Sequence, residues 1–155
     1  MYAGIDYDTN AVHIVLVPEE GIPTYLPFVL YGHDAFERTR AVRDVMPARG
    51  WWEDEGIIAI GIEEPMGHST RPLNRMQGAI LSCLPAGLLV QPWRPGEWRK
   101  EVGLPGNATK EDVARFAGGL LWPDAPLRVV PSSQDACDAF CIALATQLRT
   151  ELVVA

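Results

Sequence analysis

The run Ile57-Ile58-Ala59-Ile60-Gly61-Ile62-Glu63 constrains this chain more than any other segment. A strand with one face in water alternates polar and apolar residues. This one is apolar on both faces until its last position, as a central strand of a parallel sheet is when helices cover it on both sides. The flanking sequence supplies the partners. Residues 2–8 and 11–17 have the pattern of two strands joined at Asp8-Thr9-Asn10, an Asp/Asn hairpin signal. Residues 24–31 form a third strand, and Pro27 places it at an edge or gives it a bulge, because proline has no N–H for a ladder. Gly87–Gln91 is a further short apolar strand.

Four helices are expected. Residues 34–47 offer Phe36, Val42, Val45 and Met46 as a buried face. Ser69 to Leu84 carries Leu73, Met76, Ile80 and Leu84 at helical spacing, with Ser69 or Thr70 as cap and Pro72 in the first turn. Thr109-Lys110-Glu111-Asp112 resembles a capping box opening a helix to about Leu120. Ser132 or Ser133 caps the last helix, which runs to about Leu152. Pro92–Asn107 is expected as a loop containing one helical turn. The order β-β-β-α-β-α-β-α-α predicts one α/β domain over residues 1–155. Its mixed five-stranded sheet has three antiparallel hairpin strands plus parallel strands, with helices on both faces.

Acidic residues interrupt these apolar elements. Asp6 lies within Tyr2-Ala3-Gly4-Ile5-Asp6, Glu63 ends the central strand, and Asp135 and Asp138 stud the helix Asp135-Ala136-Cys137-Asp138-Ala139-Phe140-Cys141-Ile142-Ala143. Burying one ionised carboxylate costs on the order of several kcal/mol unless a cation pairs with it. Four in buried-looking segments call for a shared positive charge, and a hard divalent ion with oxygen ligands supplies it: Mg²⁺, with Mn²⁺ as substitute. Three of the acids also have a plainer explanation, whereas Glu63 ends a buried strand, where α/β sheets collect ligands. Asp135 and Asp138 can serve the helix dipole, and Asp6 can cap the turn that follows it. Glu64 faces away from Glu63 if the strand persists, so only one of the two belongs to a site.

The net charge of −7 argues against a nucleic-acid partner until its distribution is considered. Residues 1–67 hold 4 basic and 12 acidic side chains, whereas residues 68–120 hold 7 basic and 4 acidic. One basic segment therefore sits in an acidic chain, leaving binding of salt-sensitive character open. Cys83, Cys137 and Cys141 are odd in number, and the last two are badly placed to pair along one helix, so a reduced cytosolic setting is expected. No segment reaches the ~18–20 apolar residues of a membrane span, and no basic leader pattern precedes the first strand, so neither membrane insertion nor a signal peptide is expected.

Gly4-Ile5-Asp6, Ile62-Glu63, Lys110 early in a helix, and Asp135-Ala136-Cys137-Asp138-Ala139 followed by Ile142-Ala143 together resemble the RuvC-type Holliday-junction resolvases of the ribonuclease H-like superfamily. The resemblance follows the order of nearly the whole chain, and the Asp-Ala-x-Asp-Ala helix is its most specific part. It implies a ribonuclease H-like fold, a homodimer, and Mg²⁺-dependent incision of four-way DNA junctions at symmetric positions by two ions per site. It carries the family's metal-binding acids onto Asp6, Glu63, Asp135 and Asp138, its basic catalytic residue onto Lys110, and a second basic position onto Arg99. The family's base-engaging aromatic is replaced by Pro65-Met66-Gly67, leaving Met66 as the apolar side chain available to wedge against bases. No branch-migration partner is named by the sequence.

The segment Trp93-Arg94-Pro95-Gly96-Glu97-Trp98-Arg99-Lys100 interleaves rings and cations in a pattern suited to unstacked bases and phosphates. Arg94, Trp98, Arg99 and Lys100 are thus candidate DNA contacts, as are Arg71 and Arg75, four apart on one helix. The plainer alternative is that a tryptophan here closes the core while the charges stay solvated. Two other functions fit the same acids or scaffold: a related nuclease acting on RNA or other branched DNA, and a non-catalytic junction-binding protein. The second has no use for clustered negative charge facing phosphates.

Overall fold

In the computed structural model, which describes residues 1–66, 70–121 and 133–154, the expected strands form one five-stranded sheet. They are β1 (Tyr2–Tyr7), β2 (Ala11–Val17), β3 (Thr24–Val29), β4 (Ala59–Glu63) and β5 (Leu89–Trp93), in spatial order β3-β2-β1-β4-β5. β1, β2 and β3 pair antiparallel, while β4 pairs parallel with both β1 and β5. Pro27 is accommodated because β3 is an edge strand. β5 begins and ends two residues later than expected.

The hairpin turn is tied by Asp8, whose Oδ1 accepts hydrogen bonds from the backbone N–H groups of Asn10 and Ala11. Turn capping thus falls to Asp8, and Asp6 carries no part of it.

Strand alternation splits the core in two. Ala3, Ile5, Val12, Ile14, Leu16, Ile60 and Ile62 face one layer, built from helices α1 (Ala35–Val45), α2 (Arg49–Asp54) and α3 (Arg71–Cys83). Val15, Val17 and Trp93 face the other, built from α4 (Pro95–Glu101), α5 (Lys110–Leu121) and α6 (Gln134–Val154). Helices on both faces are as expected, but α2 is additional, and α4 extends the single turn expected within Pro92–Asn107 to seven residues. Each is too short to hold together by local propensity and owes its stability to a buried tryptophan, Trp52 in α2 and Trp98 in α4. Phe36, expected in the buried face of α1, is 61% exposed; Val42 and Met46 fill that place.

The expected capping box at α5 forms, with the Thr109 hydroxyl accepting from Asp112 N–H at 3.2 Å while Asp112 Oδ2 accepts from Thr109 N–H at 3.0 Å. Ser133 caps α6 through the N–H of Ala136. Thr70 makes no side-chain capping bond to α3, and Ser69, Ser132 and Gly67 lie outside the described residues.

The position of α6 depends on two glycines. Gly4 and Gly61 are register partners on β1 and β4, and both turn toward α6. A Cβ on Gly4 would lie 1.9 Å from the carbonyl oxygen of Ala139, and one on Gly61 2.2 Å from the Thr146 hydroxyl. With no side chain at either place, the helix backbone settles directly on the sheet. The buried alanines Ala136, Ala139 and Ala143 keep that approach open from the helix side. Among the described residues, no helix is long and apolar enough to cross a membrane.

Candidate metal centre

The α6-facing side of the sheet presents every second residue of each strand. Gly4 and Asp6 project there from β1, His13 and Val15 from β2, and Gly61 and Glu63 from β4, because successive strand side chains alternate faces. Asp6 is the direct register partner of His13, and Ile5 pairs with Ile62 on the parallel neighbour, so Glu63 comes level with Asp6. α6 begins over this end of the sheet and brings Asp135 and Asp138 to the same place. The four acids meet at the C-terminal ends of the parallel strands, where α/β sheets gather ligands.

Their electrostatics show the proximity. Burial raises the Asp6 carboxyl well above the usual range, and the charges of Glu63, Asp138 and Asp135 raise it further against one lowering hydrogen bond from Tyr7 N–H. Burial likewise raises Glu63, which the Trp98 indole N–H partly offsets; Asp138 raises it further, while Arg99 and Lys110 pull it down. Asp138 is raised by burial and by Asp135, and lowered by Gln134, Arg99 and Lys110. Cys137, between the two α6 acids, has its thiol pushed up to about 11 by burial and then by Asp138 and Asp135, so it stays protonated.

Three of the four carboxylates accept a hydrogen bond from a protein donor. Tyr7 N–H donates to Asp6 Oδ1 at 2.9 Å, Trp98 Nε1 to Glu63 Oε2 at 2.8 Å, and Gln134 Nε2 to Asp138 Oδ1 at 3.0 Å. His13 Nε2 lies 3.4 Å from Asp135 Oδ2. Held this way, no three of the acids, among the described residues, converge tightly enough to form a finished cation cage. The donor set itself fits a hard divalent ion: all-oxygen, up to four negative charges from three elements, and mutual repulsion that a cation relieves. Glu64 is set apart from this group, on the rim, with its Oε2 3.5 Å from Arg94 Nε.

Of the remaining candidates, Arg99 is half-buried, stacks over the Trp98 ring at 4.8 Å, and leaves its buried Nε without a partner among the described residues. Lys110 stands exposed at the start of α5 and reaches Glu63 and Asp138 only through its charge. Arg71, Arg75, Arg94 and Lys100 are exposed and contribute nothing to the core. Met66 is 60% exposed at the mouth of a cleft of about 160 Å³ that Asp6, Tyr7, Glu63, Glu64, Pro65 and Leu73 also line.

Trp98 is a correction. It is wholly buried, with its indole N–H committed to Glu63, so it cannot stack on nucleic-acid bases. Its role is to hold a carboxylate from beneath. His13 joins the site although no motif marks it: the alternation of Ala11-Val12-His13-Ile14 across a tight hairpin places it opposite Asp6.

No family model and no curated protein matches the sequence. Solved structures do. A Thermus thermophilus RuvC structure superposes with a TM-score of 0.72 at 22% identity, covering 97% of this chain and 95% of that one. T. thermophilus RuvC in complex with a Holliday junction substrate gives 0.74 at 19% identity, covering 97% and 94%. The chain has the RuvC fold. Both superpositions run along almost the full length of each chain, so the fold that the motif resemblance implies is the fold observed.

Proposed function

We propose that this chain is a divalent-metal-dependent, structure-selective endonuclease that resolves four-way DNA junctions. The observation carrying the proposal is the electrostatic coupling of Asp6, Glu63, Asp135 and Asp138, drawn from three elements to the end of the parallel strands on a RuvC fold. A protein that only binds DNA gains nothing from buried carboxylates that repel both one another and phosphate.

Asp6, Glu63, Asp135 and Asp138 would hold two Mg²⁺ ions, which when bound supply Lewis acidity and neutralise charge at the attacked phosphate. Asp6 and Glu63 are anchored on the sheet and Asp138 on a helix pressed against it, so the ligand set is carried by rigid elements. Trp98 and Gln134 orient Glu63 and Asp138 through their N–H donors. Lys110 and Arg99 bring positive charge toward the same two carboxylates, where they would also stabilise charge developing on a phosphate oxygen. Arg71, Arg75, Arg94 and Lys100 would engage the DNA backbone, and Met66, exposed at the cleft mouth, would press against bases at the branch point. A four-way junction offers two symmetry-related strands, so a closed homodimer would present one site to each.

The test is incision of an end-labelled synthetic four-way junction and a linear duplex control, in Mg²⁺ or EDTA, by wild type and Asp138→Asn. Paired symmetric nicks in Mg²⁺, absent with EDTA and in the variant, are expected. Tight junction binding without cleavage in Mg²⁺ or Mn²⁺ would replace the proposal with a binding role. Cleavage of RNA in preference to the junction would replace the substrate.

A further inference from the structure

His13 faces Asp6 across the β1–β2 pair and Asp135 from the start of α6, and Tyr25 of β3 stacks on its ring. Its side chain is only 12% exposed, hydrogen-bonded at one nitrogen and facing a carboxylate at the other. Nδ1 lies 2.7 Å from the Tyr25 hydroxyl, and Nε2 lies 3.4 Å from Asp135 Oδ2. The two rings stack nearly parallel, 7° apart with centroids separated by 6.0 Å, so the imidazole has little freedom to turn. A carboxylate can only accept, so the nitrogen facing Asp135 must carry a hydrogen for the contact to be favourable. In a neutral ring Nδ1 is then the acceptor, and the Tyr25 hydroxyl is the donor that fixes this tautomer.

We infer that His13, locked by Tyr25, is a positioning residue for Asp135, steadying Oδ2 and leaving Oδ1 directed to a divalent cation. The inference rests on the nuclease reading, since it assigns Asp135 a ligand's role. Asp135 needs such support more than the other acids do. Its side chain is 47% accessible, it accepts no hydrogen bond among the described residues, and it sits in the first turn of α6. Asp6 and Glu63 are fixed by strands and by short hydrogen bonds. The contact at 3.4 Å is long for a hydrogen bond, and contacts of this kind tighten when a site takes up its ligand. A partner that orients a carboxylate is expected to change cation affinity by about 10–100-fold when removed.

The experiment measures Mn²⁺ binding to the full chain by electron paramagnetic resonance, without DNA, alongside ¹⁵N NMR of the His13 ring. His13→Leu is expected to weaken Mn²⁺ binding about 10-fold or more while circular dichroism stays native. His13→Gln, which places an amide N–H near the Nε2 position, is expected to restore most of it. Tyr25→Phe keeps the stacked ring but removes the lock, so the wild-type Nε2–H tautomer should give way to a mixture. Unchanged Mn²⁺ affinity in a folded His13→Leu, or an Nδ1–H tautomer in the wild type, would overturn the inference and leave the nuclease reading intact. A wild type that binds no Mn²⁺ and cuts no junction would overturn the nuclease reading, and the inference with it. Should His13→Leu fail to fold, His13→Gln and Tyr25→Phe still decide: wild-type tautomer populations in Tyr25→Phe would refute the lock.

Discussion

Gly4→Ala tests how the site is assembled. The new methyl carbon would lie 1.9 Å from the Ala139 carbonyl oxygen, 2.4 Å from the Ala143 nitrogen and 3.0 Å from the Ala143 Cα. All three are backbone atoms, so no rotamer change relieves the overlap. Ordinary contact begins near 3.4 Å, so α6 must withdraw by about 1.5 Å from β1. Overpacking of a close-packed core typically costs about 1–3 kcal/mol, and a backbone-on-backbone clash belongs at the upper end. For a domain of this size that is a fall in Tm of roughly 6–12 °C. Asp138 precedes Ala139 in the displaced helix, so the substitution should also separate it from Asp6 and Glu63. A misplacement of ~1 Å costs on the order of 100-fold in rate.

The control is Gly78→Ala, in the middle of α3, where nothing lies within 4 Å of the added carbon. It should raise stability by about 0.5–1 kcal/mol through helix propensity. Both variants are to be followed by differential scanning fluorimetry and by junction incision in Mg²⁺. A Gly4→Ala protein melting within about 2 °C of wild type and cutting at a comparable rate would refute the close approach of α6 to the sheet, and the account of how Asp138 reaches the site.

Two further predictions concern the carboxylates directly. Asp6, Glu63 and Asp138 all have folded values raised above their unfolded ones, mainly by burial. The folded state therefore binds more protons, and metal-free stability should fall as pH rises from about 4 through the raised values, by up to ~1.4 kcal/mol per pH unit for each proton lost. Exposed Asp34 and Asp112, lowered mainly by backbone hydrogen bonds, act in the opposite sense at the acid end. Urea melts in EDTA from pH 4 to 8 should show the fall, Mg²⁺ should reverse it near neutrality, and Asp6→Asn should flatten it; a metal-free protein gaining stability across that range would contradict the buried cluster. Trp98→Phe removes the indole donor to Glu63 and should cost about 2 kcal/mol, or roughly 4–8 °C in Tm. Unchanged melting with a selective loss of DNA affinity would instead put Trp98 at the DNA.

The sheet was legible in the residues because period-two alternation and an unbroken apolar run report burial locally. The expected strand 57–63 is apolar on both sides and, from Ala59 onward, is the strand flanked on each side, while Pro27 marked an edge. The same alternation put Asp6 and Glu63 at the ends of neighbouring strands, and the Thr109–Asp112 box was readable because both partners are three residues apart. Short helices left no comparable mark. α2 and α4 exist because Trp52 and Trp98 are drawn into the core, a tertiary event that overrides weak local propensity. For the same reason the ring-and-cation pattern around Trp98 misled: composition cannot tell a stacking platform from a core residue holding a carboxylate.

Glu63 and Glu64 were likewise inseparable until the strand's face was set, after which Trp98 holds one and Arg94 the other. The tertiary structure also decided the notch at Gly4 and Gly61 and the seating of His13 between Tyr25 and Asp135. These join residues 57, 12 and 122 positions apart in the chain, distances at which only the pairing of strands and the descent of α6 onto them determine what meets what.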